Sequence, residues 1–390
     1  MIDAATRTRD RLLKAAAPID IGHEMMRTTF DIIVQTMMSA GEGIDVDRVE
    51  QSITDYLEPS GWTFALAMSG APAWVPYPGR RRANEAVAFL QSSLAAIVAH
   101  RRSSSAEHHD LISMLIQASD PETGRAMTDQ EVIDNLMTFI TAGHETTALG
   151  LAWTLHLLAK HPEYEAKVIE EIETVTCGQE LQSEHIDRLA YTRQVFSEAM
   201  RLYPAAPIIT RTAEQGFRLG QYDIPTGTIL YVPIYAVHRH ASLWLDAEFF
   251  DPDRFAPEAT RSRHRYAYLP FGAGPRVCIG SMFAMMEAVA VLAVLLQRLS
   301  FKNVTQHTPE PTMKVTLRPG SSIEMRAHRS SRQMQPPIMT YRPRVGATVG
   351  RCPYVLFPSP SYISPLKADG QETTPELKWG KELLPTPYRP

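Results

Sequence analysis

The chain has 390 residues, 44% hydrophobic and 21% charged, ordinary globular usage that supports a real core and a prior of roughly two to three domains, or one large enzyme domain. Thirty-nine Lys and Arg against 43 Asp and Glu leave a formal charge of -4, so nucleic acid and anionic membranes start as poor partners. Three widely spaced cysteines, Cys177, Cys278 and Cys352, rule out a disulfide framework and a Cys-rich zinc site, and they fit a reducing cytoplasm.

The opening residues carry charges throughout and no apolar run, so they read as neither signal peptide nor anchor. Helical spacing of Met25, Met26, Phe30, Ile33 and Met37 predicts a helix over residues 23–40. A break at 71–79, rich in Pro and Gly, precedes a helix over 80–102, and a shorter one follows at 110–118. The longest periodic segment runs from about 128 to 160. It opens with Thr128-Asp-Gln-Glu131, a capping-box signature, and at 1.5 Å per residue it extends roughly 45 Å, enough to cross a domain. Further helices are predicted over 162–176, 185–202 and 280–299. The last contains the most apolar stretch of the chain, but Glu287 interrupts it, so it reads as a buried helix and not as a membrane span. Strand character is confined to 208–212, 217–219, 228–232 and 313–325, with a turn signal at 225–227. No internal repeat is present. The last sixty residues hold eleven of the 29 prolines and no periodicity, which predicts a disordered tail over 330–390.

Three constellations carry chemistry. The first is Phe271-Gly-Ala-Gly-Pro-Arg276-Val-Cys278-Ile-Gly280, directly before the apolar helix. Its bland reading is a glycine-rich turn with one buried cysteine. Against that, Gly272, Gly274 and Gly280 allow a loop to wrap around Cys278 with backbone N–H groups aimed at the sulfur, and the helix N-terminus favours a thiolate. Such a thiolate is a good fifth ligand for haem iron. The second, Glu198-Ala-Met-Arg201, is an i,i+3 ion pair that by itself means little. The third, Ala142-Gly-His-Glu145-Thr146-Thr147, lies mid-helix. There a glycine beside an acid–alcohol pair opens a groove, and a threonine hydroxyl can back-bond to the preceding turn.

The first constellation resembles the haem-binding signature of the cytochrome P450 family, Phe-Gly-x-Gly-x-Arg-x-Cys-x-Gly, at every fixed position. Six fixed residues at roughly 5–7% usage each recur by chance in on the order of one chain in a hundred thousand. The resemblance implies that Cys278 is the axial ligand of haem b and Arg276 contacts a propionate, with Phe271, Gly272 and Gly280 completing the cofactor-binding loop. It implies that Glu198 and Arg201 form a buried structural triad with Arg254 of Phe250-Asp-Pro-Asp-Arg254-Phe255, and that Glu145 and Thr146 deliver protons to O2. It places Arg211, in Pro207-Ile-Ile-Thr-Arg211, on a propionate, with Ala205, Ala206, Ile208 and Ile209 bordering the substrate. His144 occupies the variable position and reads as exposed or helix-lining, not as a metal ligand. His238, Arg239 and Trp244 match a family pattern better explained by packing.

The expected fold is therefore mainly α with small β-sheets, a cytochrome P450 domain over residues 1–329. It is expected to be N-terminally incomplete, because the first helices resemble the middle of the family's sequence, and the Pro-rich tail has no family counterpart. The implied activity is insertion of one oxygen atom of O2 into a small apolar organic substrate. No flavin, iron–sulfur or dinucleotide motif accompanies the signature, so electrons are expected from a ferredoxin or flavodoxin with an NAD(P)H-dependent reductase. Two alternatives stay open: an inactive truncated relic acting as an interaction scaffold, and peroxide-driven oxygenation that keeps Cys278 without needing Glu145 and Thr146.

Overall fold

The computed structural model describes residues 1–38, 46–72, 74–104, 110–305 and 307–330. The tail predicted over 330–390 lies, from residue 331 onward, outside the described residues, as does the predicted helix end at 39–40. In chain order the structure runs through α1 (Ile2–Leu12), β1 (Ile19–Asp20), α2 (Ile21–Met38), α3 (Val46–Leu57), α4 (Ser60–Met68), α5 (Arg80–Ser103) and α6 (Leu111–Gln117). There follow α7 (Asp129–Lys160), α8 (Pro162–Thr176), α9 (Ser183–Ile186) and α10 (Ala190–Leu202). Next come β2 (Ile209–Thr212), β3 (Phe217–Leu219), β4 (Tyr222–Ile224), β5 (Ile229–Val232), α11 (Ile234–Val237), α12 (Pro257–Arg261) and α13 (Ser281–Leu296). The strands β6 (Leu299–Asn303), β7 (Pro311–Met313), β8 (Leu317–Pro319) and β9 (Glu324–Arg329) complete the order. The mainly α architecture with small sheets is as expected.

The long helix α7 organises the rest. Its N-terminal capping box is formed as the sequence predicts: Glu131 N–H donates to Thr128 Oγ1 at 3.3 Å and Thr128 N–H donates to Glu131 Oε2 at 2.8 Å. It stops at Lys160 because Pro162 opens α8, and a residue before proline avoids helical backbone. Between these ends α7 serves two apolar cores. Its first half (Val132, Ile133, Leu136, Ile140) packs with α2, α3, α5 and α6. The second half, from Ala148 to Leu158, packs with α1, α8, α10 and α13. The acid–alcohol pair falls at the junction.

Sequence periodicity passed over α1, whose stripe of Ala4, Ala5, Thr8 and Leu12 is small and mixed with charge, yet fully buried, with Ala4 and Ala5 in the α13 core. The helix predicted over 185–202 is split instead into α9 and α10. The break is tertiary in origin: Glu171 of α8 accepts the N–H groups of Tyr191 and Thr192 at 2.6 and 2.8 Å, capping α10 from outside.

All sheets are antiparallel. The largest has the order β1-β9-β6, with Ile19 opposite Met325 and Phe301 opposite Ala327. The pairs β2–β5, β3–β4 and β7–β8 are two-stranded, so the strand predicted over 313–325 is in fact parts of three strands. Among the described residues no helix is long and apolar enough to cross a membrane, and none of their His, Cys, Asp and Glu clusters suits a metal ion. Cys177, at the left-handed C-cap of α8, is disulfide-bonded, whereas Cys278 is free.

Candidate functional site

The cysteine loop is built by its glycines. Gly272 and Gly274 adopt φ of 72° and 75°, backbone that a side chain disfavours, and they let the chain reverse so that Cys278 N–H donates to Phe271 O at 2.9 Å. A 3-10 turn at Gly274–Arg276 follows, and Gly280 caps α13. The Cys278 thiol is exposed, and a Cβ on Gly280 would lie 3.9 Å from its sulfur. The N–H contacts to Sγ expected from the sequence are not among the hydrogen bonds of the described residues; the loop's backbone bonds turn inward. Arg276 is exposed, and Arg211 is exposed on β2, its side chain bonded, among the described residues, only to its neighbour's carbonyl at 2.8 Å. Ile209 of the same strand meets Gly272, so the structure brings β2 and the cysteine loop together as the motifs imply.

Behind the loop lies the buried ion cluster. Arg201 spends all five guanidinium N–H groups: Nε and Nη2 grip Glu198 in a fork at 2.7 Å each, while Nη1 and Nη2 reach the carbonyls of His238, Ala247 and Phe249 at 2.6 to 3.0 Å. Arg254 Nε stands 3.5 Å from Glu198 Oε1, and its remaining nitrogens bond Leu245 O and Asp246 O. Asp251 N–H also donates to Glu198 at 2.9 Å. Burial raises the Glu198 carboxyl above the usual carboxylate range, and the Arg201 guanidinium opposes this. The structure brings Glu198, Arg201 and Arg254 together, with Arg201 the closer partner.

His238 connects the cluster to the loop, a link the sequence reading missed. Buried, and held neutral by a value pushed down to about 4 through desolvation, its Nε2 accepts Leu269 N–H at 2.8 Å, two residues before Phe271. Its Nδ1 lies 3.2 Å from Arg201 O, which assigns the proton to Nδ1. Tyr268 stacks on the imidazole and donates to Ser197 O at 2.9 Å. Arg201 and Arg263 lie over the Trp244 ring at 5.0 and 4.3 Å. His238 and Trp244 are thus engaged in the packing and hydrogen bonds of this cluster.

On α7, Thr146 Oγ1 donates to Ala142 O at 2.8 Å, the back-bond anticipated from sequence. Glu145 is buried, and both Thr316 Oγ1 and Arg318 Nε of the β7–β8 hairpin donate to its Oε1 at 2.5 Å. Neither partner was visible in the sequence, where they lie some 170 residues away. Two readings of this segment need correction. Gly143 does not leave an open groove: a Cβ there would sit 3.2 Å from Ile33 Cδ1, so the glycine admits α2. His144 is not exposed but buried edge-on to Phe30 with ring centroids 5.5 Å apart, and burial pushes its value down to about 4. It is helix-lining, the second of the two positions read from the sequence. Leu317 N–H donates to Ala205 O at 3.0 Å, tying the hairpin that holds Glu145 to the segment entering β2, and through Ile209 to the cysteine loop.

The sequence model for Cytochrome P450 matches residues 3–325. The chain is 34% identical over 308 residues to cyclooctatin synthase of Streptomyces melanosporofaciens, covering 78% of this chain and 67% of that protein. It is 35% identical over 281 residues to the same organism's cyclooctat-9-en-7-ol 5-monooxygenase, covering 72% and 61%. It therefore spans about three fifths to two thirds of the length of these relatives. The crystal structure of the cytochrome P450DA heme domain superposes with a TM-score of 0.75 at 27% identity, covering 86% of this chain and 72% of that one. With fold, cysteine loop and buried triad in agreement, the chain belongs to the cytochrome P450 family.

Proposed function

We propose that the chain is a haem-thiolate monooxygenase that inserts one oxygen atom of O2 into an apolar organic substrate. The observation that carries the reading is a free, solvent-facing Cys278 on a glycine loop at the mouth of α13, its N–H bonded to Phe271 O, with Ile209 of β2 against Gly272 of the same loop. The donor set fits iron protoporphyrin: one sulfur for the metal, and Arg276 and Arg211, neither paired with a carboxylate among the described residues, for the two propionates. When bound, the haem supplies the activation of O2 and the oxidising power.

The chain's own residues hold and move protons. Glu145 Oε1 is held by Arg318 and Thr316, which leaves Oε2 as the atom to accept a proton and pass it on. Thr146 Oγ1 donates its hydrogen bond to Ala142 O, which leaves the oxygen's lone pairs to accept a hydrogen bond from a water or another donor beside α7. Arg201, Glu198 and Arg254 keep the backbone behind Cys278 rigid through His238 and Leu269. Electrons come from a separate protein, a ferredoxin or flavodoxin with its NAD(P)H-dependent reductase.

The test is optical. Purified protein reconstituted with haem, reduced under carbon monoxide, is expected to show the red-shifted Soret band of a thiolate-ligated ferrous complex, and Cys278→Ser to lose it. A colourless wild-type preparation would replace this reading with that of an interaction scaffold.

A further inference from the structure

A cleft of about 730 Å³ opens between the start of α4, the segment before α5 and the turn of the β7–β8 hairpin. Its walls carry four cations, Arg80, Arg81, Arg82 and Lys314, against two acids, Glu58 and Glu85. The acids are already taken. Arg81 Nε lies 2.8 Å from Glu85, and Arg82 Nη1 lies 3.5 Å from Glu58 and 3.9 Å from Asp55. Arg80 and Lys314 have no carboxylate partner among the described residues. Arg80 is oriented nonetheless: its Nη1 donates to Trp74 O and Val75 O at 2.8 and 3.2 Å, and its guanidinium lies 5.9 Å from the Tyr77 ring. A fixed guanidinium whose Nε and Nη2 have no partner among the described residues, lining one cleft with a lysine, is a receptor for an anion.

The cleft also says what the anion is attached to. Trp62 lines it and is about half exposed, and Met313 and Val315 flank Lys314 on the hairpin with half or more of their surface in solvent. Lys314 and Thr316 share the hairpin turn, Lys314 N–H donating to Thr316 O at 3.0 Å, and the Thr316 hydroxyl holds Glu145. An apolar body leaving the cleft along the hairpin therefore runs toward the acid–alcohol pair.

We infer that this cleft binds the carboxylate of an amphipathic organic acid, with Arg80 and Lys314 as its counter-charges, and so presents the acid's apolar end to the oxygenating site. That the ligand is the substrate rests on the monooxygenase reading; that the cleft binds it does not, and the experiment separates the two. Dodecanoate and 1-dodecanol, below their aggregation limits, are titrated into the full chain while tryptophan emission is followed, with Trp62→Phe identifying the signal from the cleft. Dodecanoate is expected to give a saturable change that weakens roughly tenfold in Arg80→Gln and in Lys314→Gln, while dodecanol binds all three proteins alike. Lys314 is exposed and makes no side-chain hydrogen bond among the described residues, so Lys314→Gln decides the matter alone if Arg80→Gln does not fold. No saturable response to dodecanoate, or equal weakening of acid and alcohol, would overturn the inference. Charge-dependent binding without an oxidised product in the reconstituted, reduced enzyme would sustain it and count against the oxygenase reading.

Discussion

Glu287 offers a measurable consequence of burying an acid that has no salt bridge among the described residues. It sits on α13 with 1% of its surface in solvent, and its Oε1 has no hydrogen-bond partner. Burial pushes its value up to about 8 from an ordinary 4.5, opposed by a hydrogen bond from Thr147 and by the Met1 amino group, the charged group that faces it. Between those two values the folded protein holds a proton that the unfolded chain has released. Stability is therefore lost as pH rises from about 4.5 to about 8. At about 1.4 kcal/mol per pH decade, the ceiling on that loss is roughly 5 kcal/mol, and water penetration on ionisation brings it nearer 2–3 kcal/mol. Glu287→Gln keeps a partner for Thr147 and cannot ionise. Urea denaturation followed by circular dichroism at steps from about pH 5 to pH 9 is the assay. The variant is expected to match wild type within about 1 kcal/mol at the acid end and to exceed it by a few kcal/mol at the alkaline end. The buried His144 and His238, whose values are pushed down to about 4, contribute stability that is lost as pH falls below their ordinary 6.5. They are common to both proteins and cancel in the difference. Parallel curves for wild type and variant across the whole range would refute the assignment of a neutral Glu287.

Two further substitutions probe the packing. Arg201→Leu removes five hydrogen bonds and strands the fully buried Glu198 beside a more distant Arg254; a cost of roughly 3–5 kcal/mol is expected, read as a lowered urea midpoint, and a change below about 1 kcal/mol would mean that Arg254 compensates. Gly150→Ala in α7 pits a helix-propensity gain of about 1 kcal/mol against a Cβ placed 2.9 Å from the Phe196 ring. That ring is itself buried, so overpacking, at about 1–3 kcal/mol, is expected to win and Tm to fall. A rise in Tm would show that Phe196 has room to move.

Much of the fold was legible because it is local. The α7 boundaries follow from a capping box at Thr128 and a proline at 162, and each acts within a few residues of itself. The cysteine loop was legible for the same reason: positive φ at Gly272 and Gly274 is a property of residue type. Errors came where distant chain intrudes. The break before α10 is made by Glu171 of another helix, and α1 is buried on the strength of α13's surface and not its own composition. His144 reads as polar in sequence, yet its place against Phe30 of α2 makes it core.

Residue type and spacing alone therefore determined that this chain is mainly helical, that Cys278 is displayed on a glycine loop ahead of an apolar helix, and that Glu198 and Arg201 share a helix face one turn apart. Only the tertiary structure decided that Arg318 and Thr316 hold Glu145, that His238 ties the ion cluster to the cysteine loop, and that Arg80 and Lys314 share a cleft. The physical reason is one of range. Backbone preference and periodicity act over a turn or two of chain, whereas the partner of a buried charge is whatever donor the packing of remote surfaces brings within about 3 Å.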